Sequence, residues 1–263
     1  LQSDSLIPTL GECDARWVLV NRRAILTLEP FLPTDTRGVA RVDDRRVISG
    51  IVQVLKSGCR WKDASTNYGP HKTLYNRFVR WRAKGVWENT FTALAAAGGP
   101  PAEVLLDSTH VKAHRSAAGG KAGIGQAIGV SRGGRNTKIH ALSDGAGRPI
   151  AFLLTGGNAA DAPQAAVLLE DLQAGAMVMA DKAYDANAIR RFIESRGAGP
   201  NIPFKANRLW KGCFSPFLYR ARNAVERMFC RLKDFRRIAT WYDKRADNFL
   251  AAIHIAALIA YWL

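Results

Sequence analysis

Cysteine is scarce and scattered in this 263-residue chain: Cys13, Cys59, Cys213 and Cys230 stand far apart, and no two form a Cys-x-x-Cys pair. That spacing offers neither a disulfide framework nor a thiolate zinc site, and it suits a reducing cytosol. Long apolar runs are missing too. The C-terminal run from Phe249 to Leu263 is apolar on nearly every side, but a membrane-spanning helix needs about 20 such residues, so a buried core helix is expected instead. No basic segment leading into an apolar one opens the chain, so no secretion signal is expected, and the first residue, Leu1, leaves a start upstream open. Acidic residues are in deficit: 22 Asp+Glu stand against 38 Lys+Arg, for a formal net charge of +16. Such a field attracts a polyanion. The basic residues are spread along the whole chain rather than gathered in one amphipathic helix, so nucleic acid is the expected partner and a membrane is not.

What is present falls into two halves. Pro30 and Pro33 mark a loop after a helix expected over 14–29. Val42, Val47, Ile48, Ile51, Val52 and Leu55 recur at helical spacing, with Gly58 as a stop. A second helix is expected from Pro70 through Lys84, ending at Gly85, and a third over about 86–97. The break Gly98-Gly99-Pro100-Pro101 then closes a small all-helical unit, expected over 1–98. Beyond it strands alternate with helices. Strands are expected over 104–111, 137–143, 149–155, 176–180 and about 200–205, the second and third forming a hairpin around the turn DGAGRP. Helices are expected from Asp161, as N-cap, to about Leu172, over 186–196, and from about Tyr219 to Ile238. This order implies an α/β domain over 102–263 with a mixed sheet.

Two acids end apolar strands in that half: Asp107 follows VLL and Asp181 follows MVMA. Open α/β sheets bind their ligands at such strand ends. If the strands are neighbours, the carboxylates converge and repel unless a cation lies between them, as in Mg²⁺ or Mn²⁺ sites. Either acid alone reads equally well as a cap or turn residue. Tyr219, Arg222, Glu226 and Lys233 fall on one face of a 3.6-residue helix. By periodicity alone that stripe is either functional or a salt-bridged solvated face. In the helix after Pro70, the basic and polar residues Lys72, Asn76, Arg77 and Arg80 interleave with Leu74, Phe78 and Trp81. It reads as a DNA recognition helix of the helix-turn-helix kind or as an ordinary amphipathic basic helix, and the charge of the chain favours DNA.

The run YRARNAVERMFCRLK, with Tyr-x2-Arg-x3-Glu-x6-Lys at 219, 222, 226 and 233, resembles the signature of bacterial insertion-sequence transposases of the DDE type, in the group covering families four and five. LLDSTHVKAH around Asp107, TKIHALSDGAGRP at 137–149, LLTGGNAADAP at 153–163 and MADKAYDA at 179–186 resemble the same family. So do EPFLPTD and SGCRWKDASTNYGPHKTLYNRFVRWRAKGVW in the helical half.

The resemblance implies an RNase H-like mixed-sheet catalytic domain behind a small N-terminal all-helical DNA-binding domain. It implies Asp107, Asp181 and Glu226 as the catalytic acids, holding Mg²⁺ or Mn²⁺. Tyr219, Arg222 and Lys233 would contact transposon-end DNA or help order the metal site. The implied reaction is cleavage of phosphodiesters at transposon ends and transfer of the 3′ ends to target DNA. The implied partners are double-stranded DNA, as terminal inverted repeats and target, and a second copy of the chain, in the cytoplasm at the nucleoid. Two alternatives stand beside it: an inactive or domesticated sequence-specific DNA-binding protein, and an RNase H-like nuclease without strand transfer.

Two features depart from the family pattern: residues 1–28, and Trp241 where a basic residue is expected. Other motifs carry no site. His110 and His114 lack a cysteine companion and fall on the strand face opposite Asp107. Gly120-Lys121 lacks the rest of a P-loop, and Gly123-Ile124-Gly125 lacks a flanking strand and helix.

Overall fold

A computed structural model of the chain describes residues 20–33, 43–117 and 126–263. Val42, the N-terminal part of the helix expected over 14–29, and the glycines at 120, 123 and 125 lie outside them.

The helical half follows its sequence signals. Helix α1 (Arg22–Leu28) is capped by Asn21, whose side chain accepts from the Ala24 amide. Helix α2 (Asp44–Ser57) starts at Asp43, whose carboxylate accepts from the Arg45 amide, and stops at Gly58, where φ is 77°. A left-handed residue there satisfies the last carbonyls without a Cβ clash. Its apolar stripe, Val47, Ile48, Ile51, Val54 and Leu55, is fully buried. Helices α3 (His71–Ala83) and α4 (Val86–Ala96) follow, with Trp81 and Trp87 meeting edge to face at 5.2 Å between centroids.

The second half builds a seven-stranded sheet from β1 (Glu103–Ala113), β2 (Gly129–Ser131), β3 (Gly134–Asp144), β4 (Pro149–Gly156), β5 (Met177–Ala180), β6 (Gly199–Asn201) and β7 (Thr240–Trp241). The main strands run in the order β4-β3-β1-β5-β6. The β3 pairings with β1, β2 and β4 are antiparallel; β1 with β5, β5 with β6 and β1 with β7 are parallel. The remaining helices are α5 (Ala162–Leu168), α6 (Asn187–Ser195), α7 (Pro216–Tyr219), α8 (Asn223–Lys233), α9 (Arg236–Ala239) and α10 (Ala246–Ala257).

Alternation along β1 sorts the core into two layers. Val104 and Leu106 face α5 and α6, packing with Leu168, Ile189 and Ile193. Leu105 and Val111 face the other way, in one cluster with the helices α1–α4 and α8–α10. The helices before the Gly98–Pro101 break thus share a core with the C-terminal helices. The C-terminal run is the buried helix its composition implies: Phe249, Ile253 and Ala257 of α10 are fully covered.

Several boundaries differ from expectation. The helix expected over 219–238 is broken into α7, a 3-10 turn at Arg220–Arg222, α8 and α9. The strand expected over 200–205 closes after Asn201, and β2 and β7 are too short to leave a periodic signal. Asp161 stands at the N-cap position of α5, but its side chain makes no capping bond.

One irregularity positions the site. Strand β5 runs beside β1 only as far as the Leu106–Ala180 pair, and β7 meets the same edge only from Lys112. Between them no strand among the described residues neighbours the edge of β1. Lys233 of α8 fills part of this gap, its Nζ donating to Thr109 Oγ1 at 2.7 Å and to the His110 carbonyl at 3.3 Å.

Candidate active site

The parallel register that pairs Leu106 with Ala180 puts the next residues, Asp107 and Asp181, at adjacent positions where the two strands part. Asp107 is buried, at 8% exposure. Its Oδ1 accepts from the Ser108 amide at 2.8 Å and its Oδ2 from Arg222 Nη2 at 2.7 Å. Asp181 uses Oδ1 to accept from the Ala183 amide at 2.8 Å, which closes the turn Lys182–Tyr184. It is therefore a cap, as a lone strand-end Asp can be, while standing beside Asp107. Glu226, in the first turn of α8, accepts from Arg222 Nη1 at 2.8 Å.

Arg222 thus bridges Asp107 and Glu226, and its guanidinium lies over the Tyr219 ring at 5.9 Å. Burial pushes the Asp107 carboxyl up to about 6; the charges of Asp181 and Glu226 add to the rise, while Arg222 and the Ser108 amide oppose it. Burial, seconded by Asp181 and Asp107 against Arg222, raises the Tyr219 phenol, and burial lowers the Lys233 ammonium. Among the described residues no group of three or more acidic, histidine or cysteine side chains closes on a common point. The Arg222 guanidinium stands between Asp107 and Glu226.

The fold therefore gathers Asp107, Asp181, Tyr219, Arg222, Glu226 and Lys233 in one place. The residues expected on α3 divide. Lys72, Asn76 and Arg80 are exposed. Arg77 is not: it is buried, paired with Asp44 at 2.5 Å and stacked over Trp81 at 5.0 Å, which corrects its expected place on a phosphate-facing side. Residues 58–70 join α2 to α3 through two 3-10 turns, and Lys84–Gly85 joins α3 to α4. Neither connection is the three- or four-residue turn of a helix-turn-helix.

Polar residues of the family motifs form a second cluster, in which only Asp161 had an expected role, as a helix cap. On the sheet face behind Asp107, the Asp161 carboxylate accepts from Ser108 Oγ and from Lys138 Nζ, both at 3.0 Å. His140 is fully buried there, with Nδ1 3.7 Å from the same carboxylate and Nε2 2.8 Å from Thr155 Oγ1. Burial drives its pKa down to about 4, so the ring is neutral. Tyr184 brings its phenol beside Ser108. The signal available in sequence was Lys138 and His140 at alternate positions on either side of Ile139 in a buried strand.

Residues 98–263 match the family model described as "Transposase DDE domain". The chain belongs to the DDE transposases. Residues 14–91 of this transposase also match the model described as a putative transposase of the IS4/5 family. A putative transposase for insertion sequence element IS6501 from Brucella ovis is 37% identical over 128 residues, spanning 48% of this chain and 98% of the relative. A putative transposase for insertion sequence element IS402 from Burkholderia cepacia is 30% identical over 137 residues, spanning 48% of this chain and 63% of the relative. Among solved structures, a piggyBac transposase synaptic complex with hairpin DNA superposes with a TM-score of 0.53 at 10% identity, over 90% of this chain and 70% of that one. That likeness concerns the fold, and with the strand order above it identifies the RNase H-like mixed sheet preceded by a helical region. No helix among the described residues is long and apolar enough to cross a membrane.

Proposed function

We propose that this transposase cleaves phosphodiester bonds at the ends of its mobile element and transfers the 3′ ends to target DNA, with Asp107, Asp181 and Glu226 as ligands for two divalent cations, Mg²⁺ or Mn²⁺. The observation that carries this reading is the Leu106–Ala180 register, which sets Asp107 beside Asp181, together with the Arg222 bridge that ties Glu226 to Asp107. The donor set fits: three carboxylates supply the oxygen ligands hard cations take. Burial, the main cause of the rise of the Asp107 carboxyl to about 6, leaves its charge poorly solvated, and the Asp181 and Glu226 carboxylates add to the rise, so a bound cation would stabilise the ionised form. Bound there, the cations supply a more acidic water or 3′-hydroxyl and charge compensation at the leaving oxygen.

The protein's own side chains do the rest. Arg222, once released from the acids, is placed to donate a bidentate pair to a phosphate. Lys233 keeps the open edge of β1 in register beneath the acids, and Tyr219 packs under the Arg222 guanidinium. The helical region, residues 1–98, grips duplex DNA through Lys72, Asn76 and Arg80, which line an exposed side of α3. Two copies of the chain hold the two ends of the element.

The test uses the full chain with Mn²⁺ or Mg²⁺ and duplexes made from the DNA flanking its reading frame. Nicking at terminal inverted repeats and joining of the 3′ ends are expected. Asp107→Asn, Asp181→Asn and Glu226→Gln are each expected to abolish both while leaving DNA affinity, read by fluorescence anisotropy, in place. A Glu226→Gln protein that cleaves like wild type overturns the assignment.

A further inference from the structure

Ser108 follows Asp107 in β1 and so points through the sheet to its other side. There its hydroxyl donates to Asp161 Oδ1 at 3.0 Å. Lys138 donates to the same oxygen at 3.0 Å and to the Ala159 carbonyl at 2.7 Å. The Lys138 side chain is only 11% exposed and that of Asp161 20%. Removing such a pair from water offsets most of its attraction, and an apolar pair would hold the layer as well. What an apolar pair would not do is fix a hydroxyl.

The other end of Ser108 touches the acid. Its amide lies in the stretch of β1 whose edge β5 has left, and it donates to Asp107 Oδ1 at 2.8 Å. One residue is thus held from behind by Asp161 and holds Asp107 in front. The anchor comes from distant chain: Lys138 from β3 and Asp161 from the entry to α5.

We infer that Ser108, anchored by Asp161 and Lys138, is a positioning residue that sets the direction of the Asp107 carboxylate for divalent-cation binding. The inference rests on the reading of Asp107 as a metal ligand. Groups that orient metal ligands from behind change affinity by about 10- to 100-fold when removed.

The experiment compares full-length wild type with Ser108→Ala, Ser108→Cys and Ser108→Thr. It reads Mn²⁺ affinity by calorimetry, kcat and KM for cleavage of a terminal-repeat duplex, and the thermal midpoint. In Ser108→Ala and Ser108→Cys the Mn²⁺ Kd is expected to rise about tenfold and kcat to fall similarly, with KM for DNA and the thermal midpoint unchanged. Ser108→Thr, which keeps the hydroxyl, is expected to restore both. A purely structural Ser108 would lower the midpoint and leave Mn²⁺ affinity alone. Wild-type Mn²⁺ affinity in both the Ala and Cys variants, or no recovery in the Thr variant, overturns the inference. A wild type that binds no Mn²⁺ overturns the metal reading itself, which separates the two failures.

Discussion

The Arg222 guanidinium lies 2.7 Å from the Asp107 carboxylate and, through its other terminal nitrogen, 2.8 Å from that of Glu226. A planar monovalent cation therefore stands between two acids that, on the proposed reading, a divalent cation would share, and the two would compete for the same oxygens. Arg222→Gln should then move binding and chemistry in opposite directions. Mn²⁺ affinity is expected to rise several-fold, because Asp107 and Glu226 lose a competing partner. Cleavage is expected to fall by at least about tenfold, the equivalent of one lost charge-assisted bond to phosphate. Calorimetry at mildly alkaline pH, where no proton must leave Asp107, makes the first comparison, and single-turnover cleavage makes the second. Weaker Mn²⁺ binding in the variant would mean that Arg222 orders the acids rather than competing for them.

Neighbouring arginines on α3 are expected to behave differently. Arg80 and Lys72 are exposed, whereas Arg77 lies against Asp44 and Trp81. Arg80→Ala and Lys72→Ala should each reduce the slope of log affinity against log salt by about 0.9 and leave stability unchanged. Arg77→Ala should cost about 2 kcal/mol of folding stability, read by urea denaturation, because it takes a buried guanidinium from a carboxylate and an indole. A normal urea midpoint with a flattened salt slope for Arg77→Ala would put that residue on DNA instead.

The inward direction of Arg77 had a sequence signal, although its charge put it among the residues expected to face DNA. Leu74, Phe78 and Trp81 set the buried face of α3, and residue 77 falls between them on that face at helical spacing. Apolar runs ending in Asp107 and Asp181 located β1 and β5, and an apolar stripe with its Gly58 stop located α2. The chemistry of Asp161 was not legible. Its local context, with Pro163 in the next turn, reads as a helix cap, and the donors that claim its carboxylate come from Ser108 and Lys138 through the sheet. The break in the helix after Tyr219 was hidden as well. Periodicity places Tyr219 and Arg222 on one face whether or not a 3-10 turn lies between them, and the turn at Arg220–Arg222 leaves no mark in the apolar pattern.

Asp185 gives the fold an acid-sensitive clasp. Burial alone would raise its carboxyl, but the Arg208 side chain, the Lys205 amide and the Arg190 side chain outweigh it and hold the pKa down to about 2. The bonds are 3.0 Å from Arg208 Nε, 2.8 Å from the Lys205 amide and 2.9 Å from Arg190 Nε, and they fasten the chain beyond β6 to α6. A carboxyl whose folded pKa lies below its unfolded value contributes stability above the unfolded pKa and loses it as pH falls through the folded one. About 2 kcal/mol should therefore disappear between about pH 4 and pH 2. Asp185→Asn should remove that segment of the stability–pH curve and lower stability at neutral pH. Parallel curves for wild type and Asp185→Asn over the acid range would place the dependence on other groups.

Trp241 stands where the family resemblance leads one to expect a basic residue, and its surroundings explain why a basic residue would not fit this chain. The indole is fully buried, lies flat on Phe249 at 4.6 Å with an interplanar angle of 7°, and donates from Nε1 to the Asp243 carbonyl. Its strand, β7, pairs with the far end of β1 through Ala113. A cation is already present in this corner: Arg237 approaches Asp243 at 3.7 Å and stacks over Tyr242 at 5.2 Å. Trp241→Arg would bury a second one without a carboxylate of its own. It should cost more than about 3 kcal/mol, the lower end for losing a buried aromatic, with the desolvated charge adding to it. Trp241→Phe keeps the stack and loses the Nε1 bond, so about 1–2 kcal/mol is expected. Urea denaturation of both variants makes the comparison. If Trp241→Arg folds as stably as wild type and cleaves faster, residue 241 reaches DNA in the working enzyme, and the stack on Phe249 is not what selects tryptophan there.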